Sequence, residues 1–267
     1  MIFEVKQTKA AGGNEFDIVS GDKVLYRGTA SWFPMGVDKT NKVTLREPDG
    51  NLLYETKYHL MENLIESSLP FKNLTKQGQK FDQYQVMDAA GNTVGAFYDL
   101  RRVLLDNRMC IAVGDRLYDA FRREMGAYEA ASFYDGETQF AQLTRTNIVT
   151  DNLDHYYVHL LPAYEALLPL MALYAVYYDF IHHNNSGQYF KGKSVNMSYT
   201  YDIHQNKYNQ NFIRDNFGEE ENQRLEAFAK KKIDSKKFWL FFIGVWVLVL
   251  GMIAGIWLLL AHLNHLI

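Results

Sequence analysis

Two acidic residues inside an apolar stretch are the side chains best placed for chemistry in this sequence. Glu165 and Asp179 both lie within the apolar run of residues 151–183. A buried carboxylate has to be paired, hydrogen-bonded or protonated. Two interpretations stay open. In the first, each carboxylate is satisfied at an open end of the fold or by a tyrosine hydroxyl. In the second, it is a polar group in a lipid- or proton-linked cavity.

The histidines make a weaker case for a metal site. His155 and His159 are four residues apart, the spacing that places two zinc-binding histidines on one helix face. No third ligand follows at a diagnostic distance, and the glutamate of the metalloprotease motif is missing. His182, His183 and His204 are interpreted as polar residues at or beyond the end of the apolar helix. The sequence therefore predicts no metal and no cofactor.

Catalytic motifs are also missing from the sequence. Cys110 lies in the apolar segment 109–113, which is typical of a small core residue rather than a nucleophile. The chain has no nucleophile-elbow sequence, phosphate-binding loop or dinucleotide fingerprint. One cysteine excludes an internal disulfide and fits a reducing compartment. A non-enzymatic protein is favoured.

The bulk composition excludes some classes of protein. The formal net charge is −3, whereas a nucleic-acid-binding domain normally carries a basic face and a high pI. Aromatic residues make up 15% of the chain, which favours a β-rich core. No nucleic-acid partner is expected.

Short strands dominate residues 1–150. Apolar and polar residues alternate in bursts that end at turn signals such as Asp49-Gly50 and Gly91-Asn92. So many strands would expose long edges in a flat sheet, so closure into an antiparallel barrel is predicted. The predicted strands are 2–7, 15–20, 23–28, 42–47, 52–59, 81–88, 93–100, 109–114, 116–124, 127–134 and 138–145.

The apolar run 151–183 follows the strands directly. Its longest uncharged piece, 166–178, has 13 residues, too few for a bilayer span of about 20 but suited to a buried helix. Pro162 and Pro169 suit only a first helical turn, so the regular helix is predicted to begin near Leu168. The run is interpreted as a hydrophobic central helix, about 151–183, that fills the barrel.

The turn sequences carry a resemblance to a known family. They are the Asp-x-x-Gly-Asn pattern of residues 88–92, its shorter version at 49–51, and the acidic entry DNLDHYY into the apolar run. With them, residues 1–183 resemble the tubby C-terminal-like superfamily, which includes phospholipid scramblases and plant LURP-one-related proteins. The resemblance implies a mainly β fold, a closed barrel of about twelve antiparallel strands around a hydrophobic helix. The cationic phosphoinositide pocket of tubby proteins and the palmitoylation and calcium segments of scramblases have no match here.

Residues 184–237 are polar and charged. Residues 184–218 are predicted to be a flexible linker, with one alternative: Tyr189, Phe190, Tyr199 and Tyr201 form a strand or clasp against the barrel. Residues 219–237 are predicted to form a charged juxtamembrane helix, with glutamates at its start and lysines at its end.

Residues 238–261 predict a transmembrane helix, because 24 consecutive residues carry no charge. At 1.5 Å per residue this segment is about 36 Å long, enough to cross a bilayer. By the positive-inside rule the preceding lysines place the large N-terminal domain in the cytoplasm, as in a single-pass, tail-anchored protein. The lysines that we expect to contact anionic lipid headgroups are Lys230, Lys231, Lys232, Lys236 and Lys237.

Gly251 and Gly255 form a small-residue motif in this segment, and Gly244 precedes them by one heptad. Such a motif allows two helices to approach closely, so a homodimer through the segment is a further prediction.

Three functions stay open. The leading hypothesis is a non-enzymatic module that binds a lipid or a protein partner at the cytoplasmic face of the membrane. The alternatives are a lipid-moving protein of the scramblase type, in which the central helix helps to form a passage for acyl chains, and an enzyme acting on a small lipidic ligand inside the barrel.

Overall fold

The computed structural model of the chain contains two compact units, Met1–Ala229 and Lys230–Ile267. The residues it describes are 1–10, 13–31, 42–58, 65, 79–101, 108–126, 128–146, 148–184, 191–195, 198–199, 202–229 and 243–256.

A closed antiparallel barrel of twelve strands forms the body of the first unit. Its strands are β1 (Ile2–Lys9), β2 (Asn14–Ser20), β3 (Lys23–Ser31), β4 (Lys42–Arg46), β5 (Leu52–Tyr58), β6 (Gln79–Asp88), β7 (Thr93–Arg101), β8 (Arg108–Val113), β9 (Arg116–Gly126), β10 (Tyr128–Asp135), β11 (Thr138–Thr146) and β13 (His155–Leu160). Consecutive strands pair from β1 to β11, and β13 pairs with both β11 and β1 to close the ring. The predicted barrel and its eleven predicted strands are confirmed.

Two short strand pairs add to the barrel. Strand β12 (Ile148–Thr150) pairs with β14 (Lys193–Val195), and β15 (Ser198–Tyr199) pairs with β9.

The Asp-x-x-Gly-Asn segment is a hairpin turn between β6 and β7. The Asp88 carboxylate accepts hydrogen bonds from the backbone N–H groups of Ala90 and Asn92, at 2.9 and 2.8 Å. Gly91 has a φ of 85°, which favours glycine. At 49–51 the Asp49 carboxylate likewise accepts the Asn51 N–H, at 3.1 Å. Both motifs therefore have a local structural role.

The central helix α1 (Leu168–His182) fills the barrel. Its predicted start at Leu168 is confirmed, with Pro169 in the first turn. Twelve of its 15 residues are buried, because strands surround it on all sides. It packs tightly against Gly28 of β3, where an added Cβ would lie 2.6 Å from a methyl group of Val176.

The prediction that the central helix begins near residue 151 is wrong. Residues His155–Leu160 form strand β13, and Pro162–Leu167 form a 3₁₀ helix before α1. The six residues His155–Leu160 alternate in side-chain direction and complete the ring, and a proline is poorly accommodated inside a helix.

Residues 184–218 also differ from the flexible linker that the sequence predicts. Besides β14 and β15, they include a 3₁₀ turn (Gln205–Lys207) and helix α2 (Phe212–Phe217). Tyr199 pairs with β9 as the clasp alternative predicts, while Tyr189, Phe190 and Tyr201 lie outside the described residues.

Helix α3 (Glu219–Ala229) follows α2 and packs with it against the outside of the barrel. Phe212, Ile213 and Leu225 are buried there against Tyr157 and Leu161. The compact unit therefore extends to Ala229, beyond the domain end predicted at 183.

In the second unit, residues 243–256 are helical. Among the helices that the structure describes, none has the length and apolar character needed to cross a bilayer. The predicted span 238–261 lies only partly within the described residues.

Candidate functional site

Aromatic side chains fill the middle of the barrel. Tyr174 of α1 meets Phe97 and Phe133 edge-to-face, with ring centroids 5.0 and 5.3 Å apart. Tyr177 packs against Tyr84 in the same way, at 5.4 Å. The rings contribute large buried areas and favourable edge-to-face contacts. The barrel interior is therefore a packed protein core around α1.

A set of polar side chains surrounds the C-terminal half of α1 at one end of the barrel. We call it the buried charge cluster: Arg122, Glu124, Glu129, Arg145, Asp154, Tyr156, Tyr178, Asp179, His182 and His183. Strands β9, β10, β11 and β13 contribute inward-facing members, Asp154 lies just before β13, and α1 and its cap contribute Tyr178, Asp179, His182 and His183.

Glu129 is the centre of the cluster and is fully buried. Its carboxylate accepts hydrogen bonds from Arg122 at 3.1 Å, Arg145 at 3.3 Å and His183 at 2.9 Å, and another from the Tyr178 hydroxyl. Burial alone would raise the pKa of Glu129, but the His183 hydrogen bond and the two arginine charges hold it well below its usual range. Glu129 is therefore ionised.

Arg145 links this centre to β13. Its Nε and Nη2 atoms donate to the Asp154 carboxylate at 2.8 and 2.6 Å. The Asp154 backbone N–H donates to the Gln7 side chain at 2.9 Å, and the Gln7 N–H donates to the Asp154 carbonyl oxygen. Because β1 and β13 close the ring, this bridge fixes the junction between the first and last strands of the barrel.

Asp179 is the second carboxylate that the sequence singles out, and it is fully buried on α1. The Tyr156 hydroxyl donates to it at 2.6 Å. Burial, and after it the negative charge of Asp154, raises the pKa of Asp179 well above its ordinary value of 3.8. The raised pKa favours the neutral, protonated form of Asp179, and the hydrogen bond from Tyr156 matches the tyrosine-hydroxyl interpretation.

The prediction that Glu165 is buried is wrong. Glu165 lies in the 3₁₀ helix Pro162–Leu167, where none of the residues is buried, and its side chain is exposed. The reason is that the chain enters the barrel only at Leu168. Glu165 and Asp179 are therefore at opposite ends of the barrel and form no joint site.

The two histidines after Phe180 complete the cluster. Arg122 approaches Nδ1 of His182 at 3.2 Å. Burial, followed by the charges of Arg122 and His183, lowers the pKa of His182 to about 3, so this ring is neutral. Arginines beside the last turn of α1 also complement the negative end of the helix dipole. The cluster is therefore a set of paired charges that fixes the end of α1 to the barrel wall.

The other candidate residues do not converge on a catalytic site. Cys110 is buried, and burial raises the pKa of its thiol, as expected of a core residue. His204 packs against the Phe121 ring at 4.8 Å. Within the described residues, no group of three or more His, Cys, Asp or Glu side chains could hold a metal ion.

His155 and His159 lie on strand β13 and not on a helix. Four residues of a strand span about 13 Å, so the two imidazoles cannot share one metal ion. Both rings face outward, toward α3: His159 approaches Glu221 at 2.7 Å, and His155 meets Phe228 at 4.9 Å between ring centroids.

The predicted membrane-contacting and dimerisation residues belong to the second unit. Lys230, Lys231, Lys232, Lys236 and Lys237 lie outside the described residues. Gly244, Gly251 and Gly255 are on the helix 243–256, and a Cβ added at any of them would have no neighbour within 4 Å. Most large apolar side chains of this helix are more than half exposed, among them Leu248 and Ile256, at 69% and 61%.

A groove of about 410 Å³ lies on strands β6, β7 and β8. Ala96 and Ala112 are cross-strand neighbours on its floor, and their small side chains leave the space open. Lys80 lies at its edge, with the ammonium group 4.6 Å from the centre of the Tyr98 ring. The groove combines an apolar floor with one cationic group.

Comparison of the chain with protein-family models, curated proteins and solved structures found no match.

Sequence reasoning singled out Asp179 and named His182 and His183, but it missed the other members of the buried charge cluster. Glu129 is in phase with buried Ala131 and Phe133, and Arg145 is in phase with buried Leu143. Successive side chains of a strand point to opposite faces. A charged residue on the same face as buried apolar residues is therefore the sequence signal that could have revealed the cluster. It indicates a buried partner but does not identify which one.

Proposed function

We propose that the protein is a non-enzymatic lipid-binding module that an apolar C-terminal segment holds at the cytoplasmic face of a membrane. The observation that carries this proposal is the packed interior of the barrel. Since α1 and its aromatic contacts occupy that space, a ligand would bind to the outer surface. The groove on strands β6, β7 and β8, with Lys80 at its edge, offers such a surface.

The composition of residues 230–261 supports the membrane attachment. Five lysines precede 24 residues without a charge. The described part of that segment, 243–256, is helical, with exposed apolar side chains. A helix that is apolar on all sides needs an apolar environment, which lipid would supply.

Alkaline carbonate extraction of membranes from cells that express the full chain tests the attachment. The wild-type chain should stay with the membrane pellet, because residues 238–261 would be in the bilayer. Replacing Leu248 and Leu250 by arginine should release the protein, since a charged residue at the centre of a span costs about 3 kcal/mol. Leu117→Arg is the matched control on the exposed barrel surface and should remain in the pellet. Release of the wild-type chain would contradict the attachment.

The chemistry of the β6–β8 groove supports an anionic lipid as ligand. An acyl chain would cover the floor at Val94, Gly95, Ala96 and Ala112, and the Lys80 ammonium would pair with the headgroup. The lysines before the apolar segment would add about 1 kcal/mol each toward an anionic surface.

Titration of the full chain in neutral detergent with short-chain phosphatidylserine tests this ligand. Saturable binding is expected, weaker after Lys80→Gln and lost after Ala96→Trp, which fills the groove. Ala163→Trp, on the exposed 3₁₀ helix, should bind as wild type does. Unchanged binding by Ala96→Trp would place the ligand elsewhere, and the lack of any saturable binding would refute lipid recognition by the barrel.

A closed twelve-stranded barrel around a hydrophobic helix also supports membership of the tubby C-terminal-like superfamily, which we propose on architecture alone. The lipid-moving and enzymatic hypotheses receive less support, because α1 is enclosed by strands. A dye-based flip assay in vesicles and an unbiased metabolite screen test them, and activity in either would count against a binding module.

Further tests concern dimerisation. Gly251→Leu should abolish energy transfer between differently labelled full-length chains in vesicles if the small-residue motif forms the contact, because leucine prevents close approach. Gly244→Leu, one heptad away, tests how far the contact extends.

A further inference from the structure

Helix α3 lies along the outward-facing row of strand β13. Three residues of one helix face, Glu221, Arg224 and Phe228, contact His159, Tyr157 and His155 of the strand. Along these three contacts the residue numbers rise in the helix and fall in the strand, so the two elements run antiparallel. The seven-residue step from Glu221 to Phe228 covers about 10.5 Å along the helix, and the four-residue step from His159 to His155 covers about 13 Å along the strand. These similar lengths place the contacting side chains of the two elements opposite one another.

The middle of this interface is held by Arg224. Its guanidinium lies 4.5 Å from the centre of the Tyr157 ring and makes a two-point contact with the Glu221 carboxylate, at 2.7 and 2.8 Å. Phe228 meets the Tyr157 ring edge-to-face at 4.6 Å. The helix is thus attached to the strand by aromatic packing and a cation–π contact, while the Glu221–Arg224 ion pair lies within α3 and orients the guanidinium.

The two histidines beneath the helix are suited to the neutral state. The Nε2 atom of His159 bonds to Glu221 at 2.7 Å, while its Nδ1 atom is buried without a hydrogen-bond partner in the described part of the chain. Protonation would place an N–H at Nδ1 opposite no acceptor, which is costly in a buried position. His155 bonds through Nε2 to Glu4 of β1, at 2.8 Å, and is partly covered by Phe228.

The charged groups that face these rings come from three elements. His159 faces Glu221 and Arg224 of α3 and the amino group of Met1. His155 faces Glu4 and Lys6 of β1 and Arg224 of α3. With both imidazoles protonated, a row of cations on the strand would confront Arg224, and the carboxylates of Glu4 and Glu221 would oppose them.

We infer that α3 is an acid-releasable clamp: it packs against strand β13 of the barrel at neutral pH and detaches when His155 and His159 become protonated. This mechanism does not depend on where residues 238–261 reside, since α3 packs on the barrel in either case. It assigns a regulatory role to His155 and His159, whose four-residue spacing resembles that of a zinc-binding pair.

The direction of the pH effect follows from proton linkage. Burial lowers the pKa of both rings when α3 is docked, and the hydrogen bonds to Glu221 and Glu4 offset this only in part. The undocked state therefore binds more protons, so docking is fully stable above the ordinary histidine pKa of about 6.5 and weakens as the pH falls below it.

Hydrogen exchange of the full chain in detergent, followed by mass spectrometry at pH 7.5 and pH 5.5, measures the release. After correction for intrinsic rates, protection of peptides from Glu219–Ala229 should fall by about tenfold or more at pH 5.5, the effect of one pKa unit on one site. Peptides from β1 to β3 should keep their protection. His159→Gln, which keeps an N–H donor for Glu221 but cannot titrate, should show a smaller fall, whereas the control His204→Gln should behave like wild type.

Two results of the hydrogen-exchange experiment would overturn the clamp. One is equal protection of α3 at both pH values in the wild-type chain. The other is a full acid response in His159→Gln. A direct measurement that needs no variant is the NMR titration of ¹³C-labelled histidine in the wild-type chain: the ring carbon of His159 should titrate below pH 6.5, and titration at or above that value would refute the mechanism.

Discussion

Replacing Glu129 by glutamine tests the buried charge cluster most severely. Glu129 is fully buried and accepts hydrogen bonds from Arg122, Arg145, Tyr178 and His183. The amide keeps the shape of the side chain but removes the charge that faces two buried guanidinium groups. Removing one partner of a buried ion pair typically costs about 3–5 kcal/mol, a large part of the roughly 5–15 kcal/mol that stabilises a domain.

Urea unfolding of the full chain in detergent, followed by far-UV circular dichroism, measures this loss at pH 7.5. The matched control is Glu15→Gln, whose partner Lys9 lies 2.5 Å away with both side chains half exposed. That surface pair should contribute at most about 1 kcal/mol.

The pH dependence provides an independent check. The folded-state pKa of Glu129 is lowered, so its contribution is present above the ordinary value of 4.5 and is lost as the pH falls below it. The difference between wild type and Glu129→Gln should therefore shrink in acid. If the free energies of unfolding of wild type and Glu129→Gln differ by less than about 1 kcal/mol at pH 7.5, the buried charge cluster does not need a charge at position 129.

Two further substitutions test the electrostatics and packing around α1. Asp179→Asn should change the free energy of unfolding at pH 7 by less than about 1 kcal/mol, because the raised pKa of Asp179 favours its neutral form. Asp154→Asn should cost about 3 kcal/mol or more, because Arg145 would lose a charged partner. Equal costs in urea unfolding would contradict the assigned protonation. Gly28→Ala should cost about 1–3 kcal/mol, since its Cβ would meet Val176, and Val176→Ala should recover part of that loss in the double variant. Purely additive losses would mean that the contact is not the cause.

The sequence predicts the barrel well because its strands carry their own signals. Alternation and glycine turns mark eleven strands without reference to any distant contact. The twelfth, His155–Leu160, is hidden because it joins an apolar run whose composition suits a helix equally well. Its strand state is decided by pairing with Ile2–Lys9, more than a hundred residues away in the chain.

The candidate site is less accessible from sequence for the same reason. Asp179 stands out as a carboxylate in an apolar helix, and it is buried. Its pKa, however, depends on Asp154 and Tyr156, which only the closed ring brings near it. Glu129 and Arg145 come from neighbouring strands, and nothing in the local sequence identifies His183 as a partner of Glu129. Local patterns therefore predict elements, while the cluster requires the topology.

Thiol labelling at the centre of α1 tests most directly whether the barrel is closed around this helix. Val176 is fully buried and Ala163 is exposed, so Val176→Cys and Ala163→Cys form a matched pair, with the native, buried Cys110 as an internal reference. In the folded full-length chain, maleimide should modify Ala163→Cys rapidly and Val176→Cys at least about a thousandfold more slowly, at the rate set by unfolding. Modification of Val176→Cys within about tenfold of the Ala163→Cys rate would contradict a packed interior.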